Sequence, residues 1–267
     1  MHYSTCLIIA SLFVLASIPG CSSQSSIDIA SNLTVFAASS SFEAFQVIGS
    51  EFELLHPGVQ IDFSFAGSST LRAQLELGAV ADLFVSANER QMALAYQADL
   101  LLASPRLIAF NNLAVVVPSG SKQVATLKDL TAPDIRIVIA LPEVPVGAYA
   151  RLALARMDGA PGFGEEFSDN VLNNVVSQEG NVRHVIAKVL LGEADAAIVY
   201  RSDLAGSSSD RIDAITIPPR FNVEARYLGA VTQNAPNLEL AKDFLDFILS
   251  ETSQKILQDY GFVEVAQ

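Results

Sequence analysis

Apolar stretches of strand length alternate along this chain with amphipathic stretches of helix length. Such alternation argues for an α/β fold whose strands form a largely parallel sheet, with helices packed on it. Two of its strand-to-helix turns are near-copies. Phe36-Ala37-Ala38-Ser39-Ser40 closes one apolar strand and opens a helix, and Phe65-Ala66-Gly67-Ser68-Ser69-Thr70 repeats the arrangement. A helix start has backbone N–H groups without partners and the positive end of the dipole, so each turn offers anion-binding donors beside serine hydroxyls. Taken alone, either turn is more simply explained as N-capping.

The strand and helix periods can be followed to the end. Leu33–Ala37 reads as a strand. Phe42, Phe45, Ile48, Phe52 and Leu55 recur at helical spacing until Pro57-Gly58. Val59, Ile61, Phe63 and Phe65 alternate as a strand, Leu71 and Leu75 share a helix face, and Gly78 suits a helix stop. Asp82–Ser86 is a short buried strand, followed by a helix over Asn88–Gln97. A second series has strands at Leu113–Val117, Arg136–Leu141, Ala196–Arg201 and Ile212–Ile217, with helices at Gly147–Met157 and Asn181–Leu191. Asn222–Thr232 runs extended, and helices at Pro236–Ser250 and Thr252–Asp259 finish the chain. We expect two α/β lobes joined by crossings near Asn112 and Glu224. Residues 32–112 plus 225–267 would form lobe 1 and residues 113–224 lobe 2, with the C-terminal helices returning to lobe 1. Ligands of open α/β sheets bind beyond the C-terminal strand ends, so the expected site is the cleft between lobes.

Composition narrows the partners. The 267 residues are 51% hydrophobic, enough for one large core or two modest ones. The formal charge is −13, which disfavours nucleic acid and anionic membrane surfaces. An anionic ligand would need local N–H and O–H donors, because long-range attraction is missing. The apolar run Leu7–Ile18 has signal-peptide length. It ends in Ile18-Pro19-Gly20-Cys21 and a serine-rich stretch, which resembles a bacterial lipobox. Residues 1–20 are thus expected to be a lipoprotein-type signal peptide, Cys21 the lipidated first residue and 21–31 a tether. An ordinary cleaved signal is the alternative, since Met1–Thr5 holds no Lys or Arg. Either way Cys6 is removed and no thiol pair remains for a disulfide, a catalytic thiol or a metal site.

Chemistry-bearing motifs are few. His56 precedes Pro57-Gly58 and His184 lies among helical residues; neither belongs to a triad or zinc signature. Gly162-Phe163-Gly164 is followed by Glu165-Glu166, not by the third glycine of a dinucleotide fingerprint. Those carboxylates and Asp195 read as helix-start or solvated groups rather than an acid/base pair. What remains is the pair of hydroxyl-bearing helix starts, two more helix starts at Val144-Pro145-Val146-Gly147 and Gly180-Asn181-Val182-Arg183, and Tyr200 at the end of an apolar strand. By itself Tyr200 is more simply a strand-end packing residue.

Together these motifs resemble the periplasmic molybdate-binding proteins of ABC importers, within the type II solute-binding fold. The resemblance spans about Leu33 to Val263. It rests on Thr34–Ser40, Phe65–Leu71, Gly78–Ala87, Val144–Gly147, Ile198–Asp203 and Tyr260-Gly261-Phe262. It implies a two-lobed protein with its ligand in the interlobe cleft and no enzymatic activity. It further implies an oxyanion held by the Ser40 and Ser68 hydroxyls, the backbone N–H groups of Val146 and Val182, and the Tyr200 phenol. Ser39 and Ser69 are the one-residue alternatives in register. Ser41, Val146 and Val80 stand where the family often has Leu, Ala and Pro, and none of these changes removes a donor. The expected ligand is molybdate, with tungstate beside it. The expected partner is the membrane permease of an ABC importer, and the expected place is the cell envelope, with a monomer anchored through Cys21 on the outer face of the cytoplasmic membrane or in the periplasm. No cofactor is implied. Other readings are a receptor for sulfate or phosphate, a secreted hydrolase using Ser40 or Ser68, and an adhesin-like lipoprotein with a vestigial cleft.

Overall fold

The computed structural model describes residues 31–205 and 209–265, together with His2. Cys21 and nearly all of the expected leader and tether lie outside these residues; Ser31, placed in the tether, opens the first strand.

The first lobe begins with β1 (Ser31–Ala38), α1 (Phe42–Leu55), β2 (Val59–Ala66), α2 (Ser68–Glu76), β3 (Leu83–Ser86), α3 (Glu89–Gln97) and β4 (Arg106–Asn111). The second lobe holds β5 (Leu113–Pro118), β6 (Ile137–Ala140), α4 (Pro145–Ala155), α5 (Phe167–Asn173), β7 (Val175–Glu179), α6 (Val182–Leu190), β8 (Ala196–Tyr200) and β9 (Ile212–Thr216). The chain then returns through β10 (Ala225–Val231), α7 (Leu238–Ile248) and α8 (Glu251–Asp259). The first sheet has the order β2-β1-β3-β10-β4 and the second β7-β6-β8-β5-β9.

Both sheets are mixed, which corrects the expectation of a largely parallel one. β1 pairs in parallel with β2 and β3, but β10 runs antiparallel to β3 and β4. In the second sheet β6 is parallel to β7 and β8, while β5 is antiparallel to β8 and β9. The reversed strands, β5 and β10, are the ones that follow the two crossings. A strand entering a sheet from the other lobe has no crossover helix to set its direction.

The strands β3, β6 and β8 are buried along their whole length. Strands covered by helices on both faces read as apolar runs, which is why Leu-Phe-Val, Ile-Val-Ile-Ala and Ala-Ala-Ile-Val were legible. In β1, Leu33 and Val35 pack with Phe45, Ile48 and Phe52 of α1, while Phe36 faces Leu71, Leu75 and Met92 on the other side. Burying each such side chain contributes roughly 1.5–3 kcal/mol. The C-terminal end of α1 is set locally: its last turn stops at His56, before Gly58 at φ +88°.

Three elements escaped the sequence reading. β4 lies just ahead of the strand expected at Leu113–Val117, separated from β5 by Asn112 alone. β7 is a half-exposed edge strand with a polar second half, and α5 has only seven residues and no side-chain cap. The two crossings are laced together: Asn222 Oδ1 accepts from Leu113 N–H, and its Nδ2 donates to Leu113 O, both at 2.9 Å.

Candidate functional site

The C-terminal ends of the parallel strands of both sheets meet at one small cavity. Ser39 and Ser40 reach it from the turn after β1, Gly67 and Ser68 from the start of α2, Val146 from the first turn of α4, Val182 from the first residue of α6, and Tyr200 from the end of β8. All five residues expected to bind are thus brought together from two lobes. The cavity volume is about 10 Å³, room for about one water-sized species. Ser69 is the exception among the register alternatives, since it lines a different groove.

The serines do not cap. The 3₁₀ turn Ser39–Ser41, α2 and α4 have no side-chain cap, whereas α3 and α6 are capped by Asn88 and Asn181. The Ser68 hydroxyl instead accepts from Ala87 N–H at 3.0 Å, and Ser40 Oγ lies 2.5 Å from Tyr227 Oη. Ser41, next in sequence, turns back to donate to Ala38 O at 2.7 Å. At α4, Pro145 occupies the first turn and has no N–H, so Val146 presents the first donor there. Gly147 lets the helix come that close: a β-carbon on it would lie 2.1 Å from Leu141 O and 2.4 Å from Ala140 O. At α6, Asn181 Oδ1 is occupied by His184 N–H, and the N–H of Val182 has no intrahelical partner by helix geometry.

Tyr200 is 1% exposed, and its phenol oxygen has no hydrogen-bond partner among the described residues. Its ring packs edge-on against Tyr227, with centroids 5.8 Å apart. Burial holds its pKa well above the usual tyrosine value, so it remains a neutral donor. Tyr200 N–H donates to Asp203 Oδ2 at 2.8 Å, which pins the strand end.

Among the described residues no Lys, Arg, Asp or Glu side chain lines the cavity. Arg183, one residue past Val182, turns away to pair with Glu43 at 2.7 Å and to stack over Phe42 at 4.2 Å. Arg201 is exposed, and its backbone N–H bonds Asn112 O at 2.7 Å. Two further bonds hold the lobes together: Gln91 Nε2 donates to Glu143 O at 3.0 Å, and Ser202 Oγ donates to Ser40 O at 3.2 Å.

The histidines stand elsewhere. His56 stacks on Phe52 and bonds Phe52 O through Nδ1 at 2.9 Å, and His184 is exposed on α6. Neither lines the cavity that holds Ser40 and Ser68. Among the described residues no three His, Cys, Asp or Glu side chains converge where they could hold a metal ion, and no helix is long and apolar enough to cross a membrane.

Sequence reasoning missed Tyr227, Asn111 and Ser202, the groups behind Ser40. Nothing local marks them. Ser40 and Tyr227 are 187 positions apart and meet only because β10 enters the first sheet beside β3.

Comparison with known proteins agrees with this architecture. Residues 33–263 match the family model described as bacterial extracellular solute-binding protein. The molybdate-binding protein ModA of Mycobacterium tuberculosis is 36% identical over 236 residues, covering 88% of this chain and 85% of that protein. The putative ABC transporter substrate-binding lipoprotein YvgL of Bacillus subtilis is 29% identical over 266 residues, 96% of each chain. A solved structure, the substrate-binding domain of a putative molybdenum ABC transporter from Clostridium difficile, superposes with a TM-score of 0.65 at 29% identity, covering 88% of this chain and 99% of that one. The chain is a binding protein rather than an enzyme, and it belongs to the bacterial extracellular solute-binding protein family.

Proposed function

We propose that this chain captures molybdate, and tungstate with it, outside the cytoplasm and delivers it to the membrane permease of an ABC importer. The observation that carries this reading is the buried phenol of Tyr200, which among the described residues has no hydrogen-bond partner and faces a cavity without a charged side chain. A buried polar group left unpaired costs about 1–3 kcal/mol, and a hydrogen bond to a charged partner is worth about 1.5–3 kcal/mol. A ligand that only accepts relieves that cost. In this reading Ser40, Ser68 and Tyr200 donate hydroxyl protons, and Val146 and Val182 donate backbone N–H groups. The names of the M. tuberculosis and C. difficile relatives point to molybdenum chemistry.

A fully deprotonated tetrahedral dianion suits such a shell. Hydrogen phosphate carries a proton that needs an acceptor, and among the described residues no carboxylate lines the cavity to take it. The cavity, about one water in size, must widen to admit a tetrahedral anion, and donors spaced for the larger molybdate would close less fully on the smaller sulfate. The anion is cargo, with no cofactor beside it. Cys21 would carry the lipid that holds a monomer on the outer face of the cytoplasmic membrane or in the periplasm, in keeping with the lipoprotein name of the B. subtilis relative. Residues 32–112 with 225–267, and 113–224, are the lobes that close on the anion.

A thermal-shift screen against molybdate, tungstate, sulfate, phosphate and chromate tests the reading. A ligand at 100 times its dissociation constant stabilises by about 2.7 kcal/mol. Molybdate and tungstate should raise the melting temperature, and sulfate and phosphate should not. A shift with sulfate or phosphate alone would reassign the cargo, and none with any anion would leave the cleft vestigial.

A further inference from the structure

We infer that Tyr227 is a positioning residue for the oxyanion: its phenol donates to Ser40 Oγ and thereby keeps the Ser40 hydroxyl proton on the cavity side. This rests on the reading of the cavity as an oxyanion site.

One amide in the network has a fixed orientation. Asn111 Oδ1 accepts from Asn112 N–H at 2.9 Å, so the oxygen of that side chain is assigned by its partner. Asn111 Nδ2 then faces Ser202 Oγ at 2.8 Å and Tyr227 Oη at 3.5 Å. An amide nitrogen donates and cannot accept. Asn111 Nδ2 cannot take the Tyr227 proton, and Tyr227 Oη and Ser40 Oγ, 2.5 Å apart, share one hydrogen bond that either hydroxyl can donate; an anion in the cavity takes the Ser40 proton, which assigns the shared bond to Tyr227 as donor. Ser40 Oγ then accepts from Tyr227 and turns its own proton to the anion. Ser202 repeats the pattern, accepting from Asn111 and donating to Ser40 O.

The relay thus runs from the first crossing to the cavity. Asn111 is the last residue of β4, and Tyr227 lies in β10, the strand that follows the second crossing. Asn111 is 0% and Tyr227 1% exposed, so water does not compete for these bonds. Burial also holds the Tyr227 pKa well above its usual value, so the donated proton stays in place at neutral pH. Ser68 is set the same way by a donor with a fixed direction, the Ala87 N–H. Both serines of the first lobe are therefore held as donors by a group behind them.

The test is a double-mutant cycle read by calorimetry with sodium molybdate, on the wild type, Tyr227→Phe, Ser40→Ala and the double variant. Tyr227→Phe keeps the ring and its packing and removes one oxygen. We expect it to weaken binding about tenfold in the wild type and less than about twofold in the Ser40→Ala background. Equal losses in both backgrounds, or no loss in either, would overturn the inference. A ligand-free arm separates it from the cargo assignment. Proton NMR should show a downfield, slowly exchanging hydroxyl resonance that is absent in Tyr227→Phe and moves in Ser40→Ala. Its absence, or an unmoved resonance in Ser40→Ala, also overturns the inference. If the wild type binds no molybdate, the functional reading falls, and the NMR arm alone decides the relay.

Discussion

A β-carbon on Gly67 would stand 2.4 Å from the carbonyl oxygen of Gly180, on the opposite lobe. Gly67 has φ −62° and ψ 138°, a conformation open to any residue. Glycine is needed here for close approach across the cleft, not for backbone freedom. Gly67→Ala should therefore hold the lobes apart and weaken anion binding roughly tenfold to a hundredfold, in line with overpacking costs of about 1–3 kcal/mol. The ligand-free melting temperature should stay near the wild-type value, because each lobe's own core is untouched. Calorimetry and a melting scan on the same variant check both halves.

The serines give a register test. Ser40 and Ser68 line the cavity, and Ser69 does not. Ser40→Ala and Ser68→Ala should each weaken molybdate binding about tenfold to a hundredfold, while Ser69→Ala should change it less than about twofold. Ser39 also reaches the cavity, so Ser39→Ala belongs in the same titration series. A large loss in Ser39→Ala with none in Ser40→Ala would move the first donor by one residue.

What was legible in the chain follows from what is local. Ser40, Ser68 and Tyr200 sit at strand ends and helix starts, where period and punctuation are written in consecutive residues. Val146 and Val182 have no polar side-chain atom, so only the family resemblance singled them out. The mixed sheets were not legible, because strand direction depends on which lobe the chain has just left. β4 was not read as a strand, because Arg106 and Asn111 leave it only a four-residue apolar run and Asn112 alone separates it from β5. Tyr227 and Gly67 act through partners 187 and 113 positions away, which no local pattern encodes.

Tyr200 reaches the cavity from the second lobe, and its phenol has no partner there among the described residues. It can bond an anion held by the first lobe only when the cleft is closed. Tyr200→Phe should therefore speed release more than it slows capture, as most interface changes do. Stopped-flow traces with molybdate separate the two rates; an off-rate equal to that of the wild type would remove Tyr200 from the latch.

Neutral donors predict weak salt dependence. Short, buried hydrogen bonds are poorly screened, so a tenfold rise in sodium chloride should change the dissociation constant less than about twofold. Arg183 bears on closure rather than on the anion, through its part-exposed pair with Glu43. Such pairs are worth about 0.2–1 kcal/mol, so Arg183→Gln should weaken binding by no more than about fivefold. A steep salt dependence combined with a large loss in Arg183→Gln would show that a cation holds the ligand.

The last expectation concerns Asp203, whose carboxyl accepts Tyr200 N–H and lies beside the Glu43–Arg183 pair. Desolvation raises its pKa from 3.8 to about 8; the Glu43 charge adds to the rise, and the Tyr200 N–H and the Arg183 charge oppose it. The folded state therefore holds this proton more tightly than the unfolded chain. The stability it contributes is full below the unfolded pKa, falls as pH rises between the two values, and levels off above the folded one. Asp203→Asn keeps an acceptor for Tyr200 N–H and cannot titrate. The wild type should thus lose melting temperature relative to Asp203→Asn between pH 5 and pH 8.5, values chosen to lie inside and just above that window. Paired melts across this range measure the difference, and a gap that stays constant would mean that Asp203 is already ionised beneath the cleft at pH 5.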